Sequence, residues 1–93
     1  MTAVVVFTVR AEQALVDIVG FIAQDDEKAA VRLVVDLRQR VTGTLSMFPD
    51  AGVKSEKGRR SITIRRYAFV YRHDPAKGEV VVLDVFGPGM DWR

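Results

Sequence analysis

The chain opens on VVVFTV (4–9), a run of β-branched and aromatic residues with the composition of a strand. The period then changes. Ala11, Ala14, Leu15, Ile18 and Ile22 recur at spacings of three and four, which predicts an amphipathic helix over 11–24. The acidic stretch DDEK (25–28) is a helix-start signal: Asp25 or Asp26 can cap free amide groups, and Glu27 favours the positive end of the dipole. A second stripe, Ala30, Leu33, Val34, Leu37, Val41 and Leu45, predicts a helix running to about Met47, ended by Pro49. The short link makes the two helices an antiparallel hairpin. After the polar loop PDAGVKSEKG (49–58) the pattern returns to strands: RSITIRRY (60–67) alternates, and YAFVYR (67–72) and EVVVLDVF (79–86) are nearly continuous, joined by the turn HDPAKG (73–78). The predicted fold is α+β, in the order β-α-α-β-β-β. A helical hairpin packs on one face of a small antiparallel sheet.

Length and composition narrow this further. Ninety-three residues, 48% hydrophobic and 28% charged, predict a single domain spanning 1–93. There is no cysteine, so disulfides and thiolate metal sites are excluded, and a cytoplasmic setting is expected. The N-terminus reads as a first strand and not as a signal peptide, and no apolar stretch has the length of a membrane span. Neither a metal nor a cofactor is expected. His73 is the only histidine and lies next to a turn, Gly52 and Gly58 lack Walker spacing, and Ser46, Ser55 and Ser61 have no histidine at nucleophile-triad spacing.

The charge is uneven. Residues 1–50 carry five Lys/Arg and seven Asp/Glu, a net of −2, and residues 51–93 carry nine and five, a net of +4. The excess sits in one stretch, where Lys54, Lys57, Arg59, Arg60, Arg65, Arg66 and Arg72 face a single acid, Glu56. Arginine's planar fork suits phosphates and carboxylates alike, so the stretch predicts an acidic or nucleic-acid partner; a solvated strand face is the competing reading. Arg60 has a further competing reading, an ion pair with a helix carboxylate.

At this point the sequence resembles a known family. AEQALVDIVGFIAQDD, KAAVRLVVDLRQRVTGTLSMFPDAG with Leu45, Phe48, Pro49 and Gly52 in L-x-x-F-P-x-x-G spacing, RRSITIRRYAFVYR with Arg60, Tyr67 and Tyr71, and VVVLDVFGPGMDW together are similar to the RelE/ParE superfamily of bacterial toxins, on the ParE side. The resemblance implies a type II toxin whose partner is a cognate antitoxin. ParE toxins act on DNA gyrase and RelE toxins cleave messenger RNA on the ribosome. Ribonuclease members place basic residues, often with tyrosine or histidine, on and just after the last strand. Here Phe86 stands where many relatives have histidine, and Pro88 and Gly89 where they have arginine. The expectation is therefore a ParE-like toxin that inhibits gyrase by binding. The alternatives are a ribosome-dependent messenger endoribonuclease with Lys54, Arg65 and Arg66 as charge stabilisers, or a non-toxic member retaining only antitoxin binding. The expected target-binding residues are Arg59, Arg60, Arg65, Arg66 and, in the tail, Met90, Trp92 and Arg93. Trp92 has a second reading, as a cover for the sheet edge or core. Val4, Val6, Arg60, Phe69, Tyr71, Val81 and Leu83 are expected to meet the antitoxin, since two short helices cannot cover all of these apolar residues.

Overall fold

The computed structural model describes residues 2–88. In chain order it contains β1 (Val4–Phe7), α1 (Val9–Ala23), α2 (Glu27–Met47), β2 (Val53–Lys54), β3 (Arg59–Ile64), β4 (Tyr67–Asp74) and β5 (Glu79–Phe86). The helix caps follow side-chain chemistry. Thr8 Oγ1 accepts from the Ala11 amide at 3.1 Å and starts α1, and Asp26 Oδ1 accepts from the Ala29 amide at 3.0 Å and starts α2. Thr8 also donates to the Leu83 carbonyl at 3.1 Å, fixing the junction of β1 and α1 to the last strand.

The sheet differs from the expected four antiparallel strands. It has five strands in the order β1-β5-β4-β3-β2, and β1 runs parallel to β5. The cause lies in the helical hairpin. The Ala3 amide donates to the Ser46 carbonyl at 2.8 Å, so α2 delivers the chain back to the sheet end where β1 began. From that end β3 sets out, β4 returns, and β5 sets out again alongside β1. The fifth strand, β2, is a two-residue edge paired with Ser61 and Arg60.

Both helices lie on one face. Ala11 and Leu15 of α1 and Leu37, Val41 and Leu45 of α2 pack on Phe69, Tyr71, Val80, Val82 and Val85. Burying a side chain of this size contributes roughly 1.5–3 kcal/mol, so this layer dominates stability. Val82 and Val85 both reach it although three residues apart. Val70 pairs with Asp84 and Tyr71 with Val82, which leaves Leu83 as an extra residue in a bulge.

Phe69 and Tyr71 therefore leave the predicted antitoxin surface. Both are 0% exposed under the helices. Val4, Val6, Val81 and Leu83 remain, and they share the opposite, uncovered face.

Candidate functional site

The basic stretch is continuous in sequence but divided in space. Arg60 and Arg65 stand five positions apart, a span of about 16 Å at strand rise. Lys54, Arg59, Arg60 and Arg72 gather at the sheet end where β1 starts, and Arg65 and Arg66 stand at the other end. Lys54, Arg65 and Arg66 thus cannot converge on one phosphate, and the expected ribonuclease trio is not assembled.

At the far end, Ile64 pairs with Tyr67, so Arg65 and Arg66 are the two central residues of a tight hairpin. Their φ angles are 51° and 74°, the left-handed geometry of a type I′ turn that Asn-Gly usually fills. The sequence placed these residues on strands, because arginines give no turn signal. Arg65 Nη1 donates to Asp36 Oδ2 at 2.8 Å, and Arg40 Nε donates to the same carboxylate at 2.9 Å. Arg65 first, and Arg40 with it, hold the Asp36 carboxyl below the usual carboxylate range. Arg66 is exposed and has no acidic partner among the described residues.

Beside this turn runs an apolar groove of 1070 Å³, lined by Val9, Ile18 and Phe21 of α1 and by Tyr67, Phe86 and Pro88. Phe21 is 76% exposed along it. The ion pair Arg10–Asp84, at 2.8 Å, stands on its rim. Val9 and Phe21 were not singled out in the sequence, although Phe21 lies off the buried stripe of its helix, which was the available signal. Met90, Trp92 and Arg93 lie outside the described residues.

Arg60 does different work. It alternates with Ile62 and Ile64 on the face that meets the core, and its side chain is 21% exposed. Its Nη1 donates to the Gly52 carbonyl at 3.0 Å and the Asp50 carbonyl at 3.3 Å, and its Nε lies 3.5 Å from Asp50 Oδ1. The Gly52 amide donates to the Tyr71 hydroxyl at 2.8 Å, and His73 Nδ1 lies 2.8 Å from Asp50 Oδ1. Three side chains of β3 and β4 therefore clamp the loop that follows α2. Arg60 is occupied inside the molecule, so it leaves both the target-binding and the antitoxin-binding sets. Its acid partner is a loop aspartate, not a helix carboxylate. His73 sits within β4, with a contact 23 residues away. The hydrogen bond from His73, with the nearby charges of Arg60 and Lys54, holds the Asp50 carboxyl below its ordinary range. Burial pushes the Tyr71 hydroxyl up.

The uncovered sheet face has an aliphatic half and a basic half. Val6, Val81, Arg72 and Arg59 follow one another across four strands. Arg59 and Arg72 are directly opposed, a pairing of like charges that destabilises a sheet unless an anion intervenes. Val4 is 63% exposed at the edge of this face.

The sequence matches the family model described as ParE toxin of type II toxin-antitoxin system, parDE, over residues 5–92. The chain belongs to the ParE toxin family. Two solved structures share the fold of this family member. One is the chromosomal ParDE toxin-antitoxin system from P. aeruginosa, at TM-score 0.77 and 20% identity, covering 94% of this chain and 97% of that one. The other is the toxin-antitoxin complex RelBE2 from Mycobacterium tuberculosis, at TM-score 0.73 and 23% identity, covering 94% and 99%. No curated protein matches the sequence. Among the described residues no helix is long and apolar enough to cross a membrane.

Proposed function

We propose that this ParE-family toxin inhibits DNA gyrase in the cytoplasm by binding it, and is silenced by a cognate antitoxin. The observation that carries the reading is the hairpin tip. Arg66 is exposed in a strained turn with no acidic partner among the described residues, next to the groove that Phe21 lines. An exposed guanidinium beside exposed aromatic surface is the composition of a protein-binding hot spot. Met90, Trp92 and Arg93 follow in sequence from the groove's Pro88 and belong to the same proposed contact. Arg65 contributes through its remaining donors, and Arg59 lies outside this cluster, at the far end of β3.

The antitoxin is proposed to cover the uncovered sheet face. Val4, Val6, Val81 and Leu83 would meet its aliphatic side chains, and the opposed Arg59 and Arg72 its carboxylates. One segment crossing this face would remove the like-charge repulsion and the exposed valines together.

The test is a supercoiling assay with gyrase and the purified toxin, run beside messenger cleavage on programmed ribosomes. Inhibited supercoiling with intact messenger is expected, and Arg66→Ala should relieve the inhibition. Cut messenger with normal supercoiling would establish the ribonuclease alternative. No effect in either assay, with antitoxin still bound, would establish a non-toxic member.

A further inference from the structure

The clamp beneath β3 leaves one group of charges unexplained. Asp50, Lys54, Ser55, Gly58, Arg59, Arg60, His73 and Pro75 surround a polar cleft of 480 Å³ at the base of the sheet. Three permanent cations, Lys54, Arg59 and Arg60, face one carboxylate, Asp50, a net of +2 with His73 neutral. Asp50 is already engaged by His73 at 2.8 Å and by Arg60 at 3.5 Å. Lys54 and Arg59 have no ion-pair partner among the described residues, and both are exposed. Of the neighbouring acids, Asp74 accepts from the Lys77 amide in its own turn, and Glu56 does not line the cleft.

The cleft is ordered before any ligand arrives. Arg60 is fixed by two backbone carbonyls, so it lends the cleft a fixed positive charge and not a free donor. His73 Nδ1 lies 2.8 Å from Asp50 Oδ1, which orients the ring and points Nε2 away from that carboxylate. Ser55 adds a hydroxyl, which donates to the Arg59 carbonyl at 3.3 Å and can rotate toward a ligand. An Arg fork, a Lys point charge and a hydroxyl around one opening are the donor set of a phosphate group.

We infer that this cleft is a phosphate-binding site, with Lys54 and Arg59 as its principal ligands and Ser55 as a supporting donor. It lies about 16 Å along β3 from the hairpin tip. It therefore stands or falls separately from the gyrase reading.

The experiment is an NMR titration of the isotopically labelled full chain with inorganic phosphate, at ionic strength held constant with chloride. Saturable shifts at Lys54, Ser55, Arg59 and the His73 ring are expected. Lys54→Ala with Arg59→Ala should weaken binding by about tenfold or more, since two charge-assisted contacts are lost. Both side chains are exposed, so the melting temperature should hold. Arg66→Ala, at the other end of the sheet, should bind phosphate as the parent does. A mononucleotide and a single strand of about ten nucleotides distinguish the sources. Tighter binding of the strand assigns a nucleic-acid backbone, and equal binding assigns a free phosphate group. Shifts reproduced by chloride alone, or binding unchanged in the double variant, would overturn the site. So would binding of a short poly-aspartate peptide with no response to phosphate, in favour of an acidic protein segment.

Discussion

Replacing Arg66 with glycine should make the protein more stable and less active. Arg66 sits at φ 74°, where an L-residue carries a penalty of about 1–2 kcal/mol. Glycine removes that penalty but loses about 0.5–1 kcal/mol more chain entropy on folding. No ion pair is lost, because Arg66 has no acidic partner among the described residues. The net gain is about 0.5–1 kcal/mol, which in a domain of this size raises Tm by about 2–8 °C. Arg66→Ala keeps the strained backbone and removes the charge, so its Tm should stay near that of the parent. Thermal unfolding followed by circular dichroism separates the three proteins. On the proposed function both variants lose gyrase inhibition, although one is more stable than the parent. A lower Tm for Arg66→Gly would refute the strain argument. Full inhibition by that variant would refute the role of the tip.

Other expectations follow from the clamp and the open face. A Cβ at Gly52 would lie 2.7 Å from both the Ser61 carbonyl oxygen and the Tyr71 hydroxyl, so Gly52→Ala should cost about 1–3 kcal/mol in urea unfolding. Tyr71→Phe strands the Gly52 amide, at a cost of about 1–3 kcal/mol by the same measurement. Asp36 and Asp50 have folded pKa values below their ordinary ones, so their contribution is present above the unfolded carboxylate pKa of about 4 and is lost as pH falls through the lower folded values. Melting temperature should accordingly fall with acidification below about pH 4, and Asp36→Asn with Asp50→Asn should flatten that fall. Val6→Glu should spare the fold, because Val6 is 37% exposed, and weaken antitoxin capture in a pull-down with the cognate antitoxin.

Much of the fold was legible because it rests on periodicity. Leu37, Val41 and Leu45 mark a helix stripe by spacing alone, and Asp26 announces its own helix. Pairing partners carry no such mark. Nothing local in VVVF says that β1 will lie beside β5 in parallel, since that depends on which sheet end α2 returns to. A two-residue strand such as Val53–Lys54 is too short to show alternation. Arg60 was legible in part. Its place in register with Ile62 and Ile64 points it inward, whereas its charge alone predicts a surface position. The face of Phe69 and Tyr71 was hidden by a nearly continuous apolar run. The contact of His73 with Asp50 joins residues 23 apart across a loop, which no spacing rule anticipates. The left-handed turn at Arg65 and Arg66 broke the usual turn chemistry, and a local rule broken in this way often marks a working part of the surface.

The central claim is that the toxin acts by binding through its hairpin tip. The measurement that meets it most directly is gyrase supercoiling titrated with the parent and with Arg66→Ala, both confirmed folded by their melting curves. The account predicts inhibition by the parent and its loss in the variant at unchanged stability. Supercoiling untouched by the parent, or inhibited equally by both proteins, would contradict it.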